Sequence, residues 1–145
     1  MNEHLVRRFF SEYERRFNDA LATPPKEDVS ATAEAFAEYF VESSPIGVMG
    51  GKNDEAFRQM IPKGNEYYRS IGTKSMKISD LEVTQLDEFH FMARVHWDSR
   101  YEKDGVEMRI EFDVLYFLRD QNERLKIFAY ITGDEQKVLK EHGVI

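Results

Sequence analysis

Apolar and polar residues follow two different periods along the chain, and the change falls near Gly72. Before that point, apolar side chains recur every three or four positions, which is typical of amphipathic helices. Glycine-rich residues 46–52 interrupt this pattern and indicate a loop or an irregular short strand. Glu42 falls on the polar face of the second helical segment and is predicted to point outward. The pattern predicts helices over residues 5–21, from residue 28 or 30 to about residue 42, and from residue 53 or 54 to residue 71, the last kinked or split at Pro62 and Gly64.

After Gly72, apolar and polar residues alternate at every second position, which indicates half-buried strands. Three helices followed by an antiparallel meander give an α+β order. The predicted strands cover residues 76–86, 89–101, 106–118 and 125–132, and a last short helix spans residues 134–142.

The two middle strands carry charged residues on one face and large apolar residues on the other, and two registers are open to them. A loop of four residues, 102–105, opposes unlike charges: Arg100 with Glu107, Asp98 with Arg109, His96 with Glu111, and Arg94 with Asp113. A tight turn at Asp104-Gly105 instead opposes Arg100 to Arg109 and Asp98 to Glu111. Unlike charges directly opposite each other stabilise a sheet by ~0.2–1 kcal/mol a pair, and like charges destabilise it. The four-residue loop is therefore predicted.

Composition narrows the classes of function. The 145 residues predict a single domain over residues 1–145. A net charge of −7 disfavours nucleic acid as a partner. The lack of cysteine excludes disulfides, thiolate catalysis and cysteine-based zinc sites, and it fits a cytoplasmic location. No apolar run reaches the ~20 residues that a membrane-spanning helix needs, so no membrane partner is expected.

Three short stretches accompany this order of elements: Tyr13-x-x-x-Phe17-Asn18, Ser44-Pro45-Ile46-Gly47 and Leu125-Lys126-Ile127. Together they resemble the nuclear transport factor 2-like superfamily over nearly the whole chain. The resemblance implies a cone, in which a curved antiparallel sheet wraps around three N-terminal helices. The superfamily includes the transport factor, ketosteroid isomerase and polyketide-cyclase-like proteins, so it implies a fold more strongly than a function.

Ketosteroid isomerase is the member of that superfamily whose chemistry can be compared residue by residue. Its site combines a carboxylate base with an oxyanion hole made of a tyrosine and a neutral aspartic acid. Tyr13 resembles that tyrosine, and Asp113 lies on the strand that resembles the one carrying the aspartic acid. The base precedes a proline, where this chain has Ser44, and this departure argues against the isomerase activity. Pairing with Arg94 would keep Asp113 ionised, as a structural ion pair or as an anchor for a polar ligand.

His96 is the candidate general base that the residues themselves offer. A carboxylate opposite it, Glu111, would orient the imidazole and raise its pKa. In the enzymatic interpretation His96, Asp113 and Tyr13 are catalytic, with Tyr13 donating a hydrogen bond inside the cone. The alternative interpretation makes the charged residues a half-exposed ladder and Tyr13 a buried aromatic residue of the first helix.

These roles require the charged face of the central hairpin to line the cone. The resemblance predicts that orientation, because Asp113 lies on the charged face and corresponds to an aspartic acid that faces the pocket in ketosteroid isomerase. The apolar face around Trp97 and Phe112 would then form a homodimer interface, because large apolar patches rarely stay exposed. The alternative places Trp97 and Phe112 beneath the helices. The remaining predicted ligand-binding residues are Phe17, Phe36, Phe40, Met49, Tyr67, His90, Met92, Arg94, Leu115, Phe117, Phe128 and Tyr130.

The sequence thus predicts a pocket for a small apolar or partly polar molecule. Its enzymatic interpretation is acid–base catalysis without a cofactor, such as isomerisation, cyclisation or dehydration. No metal is expected, because Arg94, Arg100 and Arg109 surround the candidate ligands and oppose a further cation. The alternative is a non-catalytic interaction module that uses the apolar sheet face to bind a different protein.

Overall fold

A computed structural model describes residues 2–145 as four helices and six strands. In chain order, the elements are α1 (Glu3–Leu21), α2 (Val29–Glu34), β1 (Phe36–Ser44), β2 (Gly47–Lys52), α3 (Glu55–Ser70), β3 (Thr73–Gln85), β4 (His90–Lys103), β5 (Val106–Gln121), β6 (Arg124–Ile131) and α4 (Glu135–Glu141). The strands form one sheet in the order β2-β1-β6-β5-β4-β3, antiparallel throughout except for the parallel pair of β1 and β6. The predicted α+β cone fold is confirmed. No helix among residues 2–145 has both the length and the apolar character needed to cross a bilayer.

The second predicted helix is wrong beyond its first turns. Helix α2 ends at Glu34, and the residues after it form strand β1, which the periodicity of the sequence did not indicate. Apolar residues at 36, 40 and 41 fit a helical stripe, but in the folded chain Phe36 and Val41 lie opposite Ile127 and Ala129 of β6, and Phe40 lies opposite Gly51 of β2. Such pairing depends on a strand ninety residues away, so local periodicity could not predict it. Residues 47–52 form an edge strand, which is one of the two alternatives predicted for this stretch. Helix α3 continues through Pro62, so the prediction that it splits there is wrong.

The predicted register of the central hairpin is also wrong. The chain turns on two residues, and both Asp104 and Gly105 have positive φ angles, 53° and 78°. Two such residues match the twist of the flanking strands, which makes Asp-Gly a favoured hairpin turn. As a result Arg100 lies opposite Arg109, and Asp98 lies opposite Glu111.

Three of the four predicted ion pairs survive in this register because they form diagonally: Asp98 with Arg109, His96 with Glu111, and Arg94 with Asp113. Arg109 Nε donates to Asp98 Oδ1 at 3.0 Å, whereas Arg100 pairs along its own strand, 3.5 Å from the other oxygen of Asp98. Diagonal neighbours on a sheet lie within reach of side chains as long as arginine. Turn geometry therefore sets the register, and the charged side chains adapt to it.

The orientation of the sheet is opposite to the one predicted. Trp97, only 2% exposed, lies beneath α1 with its ring 6.2 Å from that of Tyr13, and Phe10 of α1 packs on Tyr116 at 4.9 Å. Burying one large apolar side chain is worth about 1.5–3 kcal/mol. An exposed ion pair is worth ~0–1 kcal/mol. The apolar face therefore packs against the helices, and the charged face lies outside the cone.

A bulge in β6 changes which of its residues point into the cone. The β5–β6 register shifts between Phe117 and Leu118, so that Tyr130 lies opposite Tyr116 and the two rings stack at 5.9 Å. Phe128 stays on the outer face, with its ring 6.3 Å from that of Phe117. Strict alternation along β6 therefore does not hold.

Substitution of Gly105 tests whether the turn sets the register. Gly105→Ala places a β-carbon on a residue with φ near 78° but meets no atom within 4 Å, so backbone strain alone acts. We expect the free energy of unfolding in urea to fall by about 1–2 kcal/mol. Gly64→Ala, also without a contact, lies inside α3 and should raise that free energy by about 0.5–1 kcal/mol. Equal effects of the two substitutions would contradict this account.

Candidate functional site

The concave side of the sheet holds a cavity of about 320 Å³, which we call the sheet chamber. It lies between α1, the strands β1, β4, β5 and β6, and the segment leading into α4. Its walls are mostly aromatic: Tyr13, Phe17, Tyr68, Trp97, Phe112, Tyr116 and Tyr130. Three acidic residues, Glu42, Asp134 and Glu135, also line it, and the Asp134 carboxylate accepts a hydrogen bond from the Lys137 amide at 3.1 Å as the N-cap of α4.

A second cavity of about 220 Å³ lies between α1, α2 and α3, and we call it the helix chamber. Tyr13, Phe17 and Tyr68 line both chambers and so form the partition between them. The helix chamber has an apolar wall that includes Phe36 and Phe57. The two chambers are therefore neighbouring parts of one hollow.

The phenol groups in the sheet chamber are held by contacts among the aromatic side chains. The indole Nε1 of Trp97 donates a hydrogen bond to the Tyr116 hydroxyl at 3.3 Å. Tyr13 packs against both of these residues, with ring centroids 6.2 and 6.0 Å away. Burial raises the pKa of Tyr13 and raises that of Tyr116 well above its usual range. Both phenols therefore stay protonated at neutral pH and can donate hydrogen bonds.

Glu42 enters the sheet chamber because residues 36–44 form a strand. In the parallel pairing of β1 with β6, Glu42 lies beside Tyr130. Burial, and after it the negative charge of the Glu42 carboxylate, raise the pKa of Tyr130. The helical period of residues 29–42 predicted a Glu42 that faces outward, and that prediction is wrong. A strand alternating Phe40, Glu42 and Ser44 would have indicated the inward position.

Glu135 reaches the mouth of the sheet chamber from the first turn of α4. The Tyr68 hydroxyl donates a hydrogen bond to its Oε2 at 2.6 Å. The residue as a whole is exposed, but the protein packed around its carboxylate raises the pKa of Glu135, and the negative charge of Glu42 raises it further. The bond from Tyr68 acts in the opposite direction. Net, Glu135 holds its proton more tightly than an ordinary glutamic acid.

The chemistry of this chamber is that of proton transfer. A carboxylate with a raised pKa is a stronger base than an ordinary carboxylate, and phenols that line the same cavity can stabilise a developing oxyanion. No positively charged side chain lines the sheet chamber among the described residues. Within residues 2–145, no three histidine, aspartate or glutamate side chains converge in a way that could hold a metal ion.

The sequence of the chain was compared with models of protein families. The model of the NTF2-like protein (DUF6841) family matches residues 2–135. The chain belongs to this NTF2-like family. The family resemblance stated from the sequence is therefore confirmed. No curated protein matches the chain.

Solved structures of similar fold are distant in sequence. An NTF2-like protein of unknown function from Shewanella oneidensis MR-1 has a TM-score of 0.69 and 18% identity, over 92% of this chain and 100% of that one. A ketosteroid isomerase-like protein from Erwinia carotovora atroseptica SCRI1043 has a TM-score of 0.57 and 14% identity, over 90% and 91% of the two chains. A protein from Novosphingobium aromaticivorans DSM 12444, provisionally named a scytalone dehydratase, has a TM-score of 0.65 and 12% identity. The match covers 90% of this chain and 81% of that one. At these identities the likeness shows the NTF2-like fold alone.

The structure brings together only some of the predicted site residues. Tyr13, Phe17 and Tyr130 line the sheet chamber of this NTF2-like protein, and Phe36 lines the helix chamber. Phe40 packs in the core, with ring centroids 4.8 Å from both Phe36 and Phe57.

The other predicted residues lie away from the hollow. Tyr67 accepts a hydrogen bond from Gln136 at 3.0 Å on the outer rim, and Met49 is 52% exposed on β2. The rest belong to the outer face of the sheet, because their strands turn the alternate residues inward: His90, Met92, Arg94, His96, Asp113, Leu115, Phe117 and Phe128. The prediction that they line the cone is wrong.

His96 and Asp113 therefore cannot share a cavity with Tyr13. His96 Nδ1 lies 2.5 Å from Asp113 Oδ1, and its Nε2 lies 3.2 Å from Glu111 Oε1. Arg94 reaches Asp113 at 3.6 Å, which agrees with the structural ion pair that the sequence analysis offered. These residues form a ladder of ion pairs on the outer face.

The apolar face around Trp97 is likewise unavailable to a protein partner, because it forms the core beneath α1. A homodimer or an interaction module that uses this face is ruled out by its burial. Self-association of the chain stays a prediction.

Substitution of His96 tests the outer ladder through pH. The hydrogen bonds that the His96 imidazole donates to Asp113, the larger cause, and to Glu111 raise the pKa of His96 above its usual 6.5. Protonated His96 therefore stabilises the fold fully below about pH 6.5, and the contribution is lost as pH rises through the raised pKa. We expect wild type to be more stable than His96→Gln at pH 5.5, with the difference shrinking toward pH 8.5 in urea unfolding. An Asp113→Asn background should reduce the difference, and a difference that grows with pH would contradict the assignment.

Proposed function

We propose that this NTF2-like protein is a cofactor-free enzyme that moves a proton on a small carbonyl compound held in the sheet chamber. The observation that carries the proposal is the pair of carboxylates, Glu42 and Glu135, beside a wall of buried phenols. Isomerisation, cyclisation and dehydration of such compounds share one early step, which is loss of a proton from the carbon next to the carbonyl group.

Glu135 is the proposed general base in this scheme. The pKa of Glu135 is raised, that is, shifted toward neutral pH. A general base is most effective when its pKa lies near the working pH, because it is then both deprotonated and strong enough to take a proton. Tyr68 fixes one of its oxygens at 2.6 Å and leaves the other for the substrate. Glu42 acts on Glu135 through its charge, and it is therefore a positioning and tuning residue in this proposal.

The phenols would stabilise the enolate that forms when the proton leaves. Tyr13 and Tyr116 lie on the same wall and stay protonated, so both can donate to a developing oxyanion. The ketosteroid isomerase-like relative from Erwinia carotovora adds support at the level of the fold. In this chain the carboxylates come from β1 and α4, and His96 takes no part.

Hydrogen exchange of a model ketone tests the proposal without knowledge of the natural substrate. We expect the protein to accelerate deuterium incorporation into β-tetralone in heavy water, followed by proton NMR. Glu135→Gln should lower the protein-catalysed rate by a factor of about 10²–10⁴, because an amide cannot accept the proton. Glu141→Gln, at the exposed end of the same helix, is the matched control and should leave the rate unchanged.

The pH profile separates the role of Glu42 from that of Glu135. Glu42→Gln removes the negative charge that raises the pKa of Glu135. The midpoint of the rate-against-pH curve should therefore move to lower pH, while exchange at high pH continues. No exchange above the buffer rate in wild type would overturn the proposal, and an unchanged midpoint in Glu42→Gln would remove the coupling between the two carboxylates.

A further inference from the structure

Arg16 of α1 is the one cationic side chain among the described residues that line either chamber. It is half-buried at the wall of the helix chamber, and its guanidinium carbon lies 6.0 Å from the centre of the Tyr13 ring. The guanidinium is therefore next to the partition that separates the helix chamber from the sheet chamber. A charged group in this position needs an explanation, because desolvation of a cation is costly unless it is paired.

Arg16 has no such partner within residues 2–145, where it forms no ion pair within 4.0 Å. Arg15, the preceding residue, shows the contrast: it pairs with Glu12 at 2.8 Å and with Asp19 at 2.9 Å in solvent. Glu12 also lies one helical turn before Arg16, but its carboxylate turns to Arg15. Burial lowers the pKa of Arg16, although an arginine stays charged in proteins.

Among the described residues, the carboxylates near Arg16 form no ion pair with it within 4.0 Å, although the charges of Glu12 and Asp28 raise its pKa against the effect of burial. Glu27 is held by Arg69 at 3.1 Å. Asp28 is exposed and caps α2, where it accepts a hydrogen bond from the Ala31 amide at 3.0 Å. The guanidinium of Arg16 therefore keeps donors free for an anion from solution.

The rest of the helix chamber is apolar enough to hold a hydrocarbon body. Phe36 and Phe57 meet edge to face at 5.5 Å, and Met60 and Ile61 of α3 extend the same wall. A volume of about 220 Å³ admits one or two fused rings. An apolar cavity with one cation at its edge selects a molecule with one anionic end.

We propose that the helix chamber binds a small carboxylic acid with an aromatic or alicyclic body, whose carboxylate pairs with Arg16. The planar guanidinium matches a carboxylate with two parallel hydrogen bonds. Glu42 and Glu135 repel an anion from the sheet chamber, so the neutral end of the molecule points past Tyr13 toward them. This orientation rests on the proposed function, whereas carboxylate binding by Arg16 does not.

Calorimetric titration with two probes of one shape tests the proposal: β-naphthoate and its neutral isostere β-naphthamide. At pH 7 and low salt, wild type should bind β-naphthoate at least about tenfold more tightly, the effect of one charge-assisted hydrogen-bonded pair. Arg16→Gln should remove this preference and leave β-naphthamide binding within about twofold. Arg15→Gln, the neighbouring exposed arginine, should keep the preference. Arg16→Lys, which keeps the charge, should recover part of it.

The outcomes separate this proposal from the proposed enzymatic function. Equal affinities for the two probes in wild type, no binding of either probe, or a preference that survives in Arg16→Gln would each overturn carboxylate binding. Circular dichroism of each variant verifies that the fold is intact, and Arg16→Lys serves if Arg16→Gln does not fold. If wild type does not accelerate β-tetralone exchange but prefers β-naphthoate to β-naphthamide, only the catalytic proposal is overturned. Exchange without that preference would overturn the Arg16 proposal alone.

Discussion

The contact on which the rest of this structure depends is the packing of the aromatic stripe of α1 against the apolar face of β4 and β5. Phe10 and Tyr13 lie on Trp97 and Tyr116, and these buried side chains outweigh what the charged face could gain by turning inward. The packing decides which residues can meet a ligand. It lines the hollow with phenols and leaves the ion pairs outside.

The central hairpin illustrates a hierarchy of forces within one element. Two residues with positive φ fix the turn at Asp104 and Gly105, and the strands must then pair accordingly. The charged side chains lose their direct partners but recover ion pairs on the diagonal, as Asp98 does with Arg109. Long side chains can adjust by several ångströms, whereas a backbone turn cannot. The conformation of the turn therefore sets the register of the two strands.

Most of the fold could be predicted from the sequence because α1, α3 and strands β3 to β6 each carry a clear period. Strand β1 could not, because its aromatic residues satisfy a helical stripe and a strand equally well and its partner β6 lies far along the chain. That one error hid the inward position of Glu42. Glu135 could not be predicted for another reason. It is the first residue of the short helix α4, and no local pattern indicates that this helix packs beside Tyr68. Tyr13 was found because the period of α1 and the family resemblance agree.

The charges around the hollow differ between its two ends. The helix end carries Arg16, with Glu27 paired to Arg69 and Asp28 capping α2, whereas the sheet end carries Glu42 and Glu135 with no cation among the described residues that line it. The Tyr13 ring stands between Arg16 and the sheet end. In a low-dielectric hollow, opposite fields at the two ends orient a polar molecule before any contact specific to its shape is made. The polarity therefore limits which end of a ligand can approach the carboxylates, and this limit is independent of whether those carboxylates catalyse a reaction.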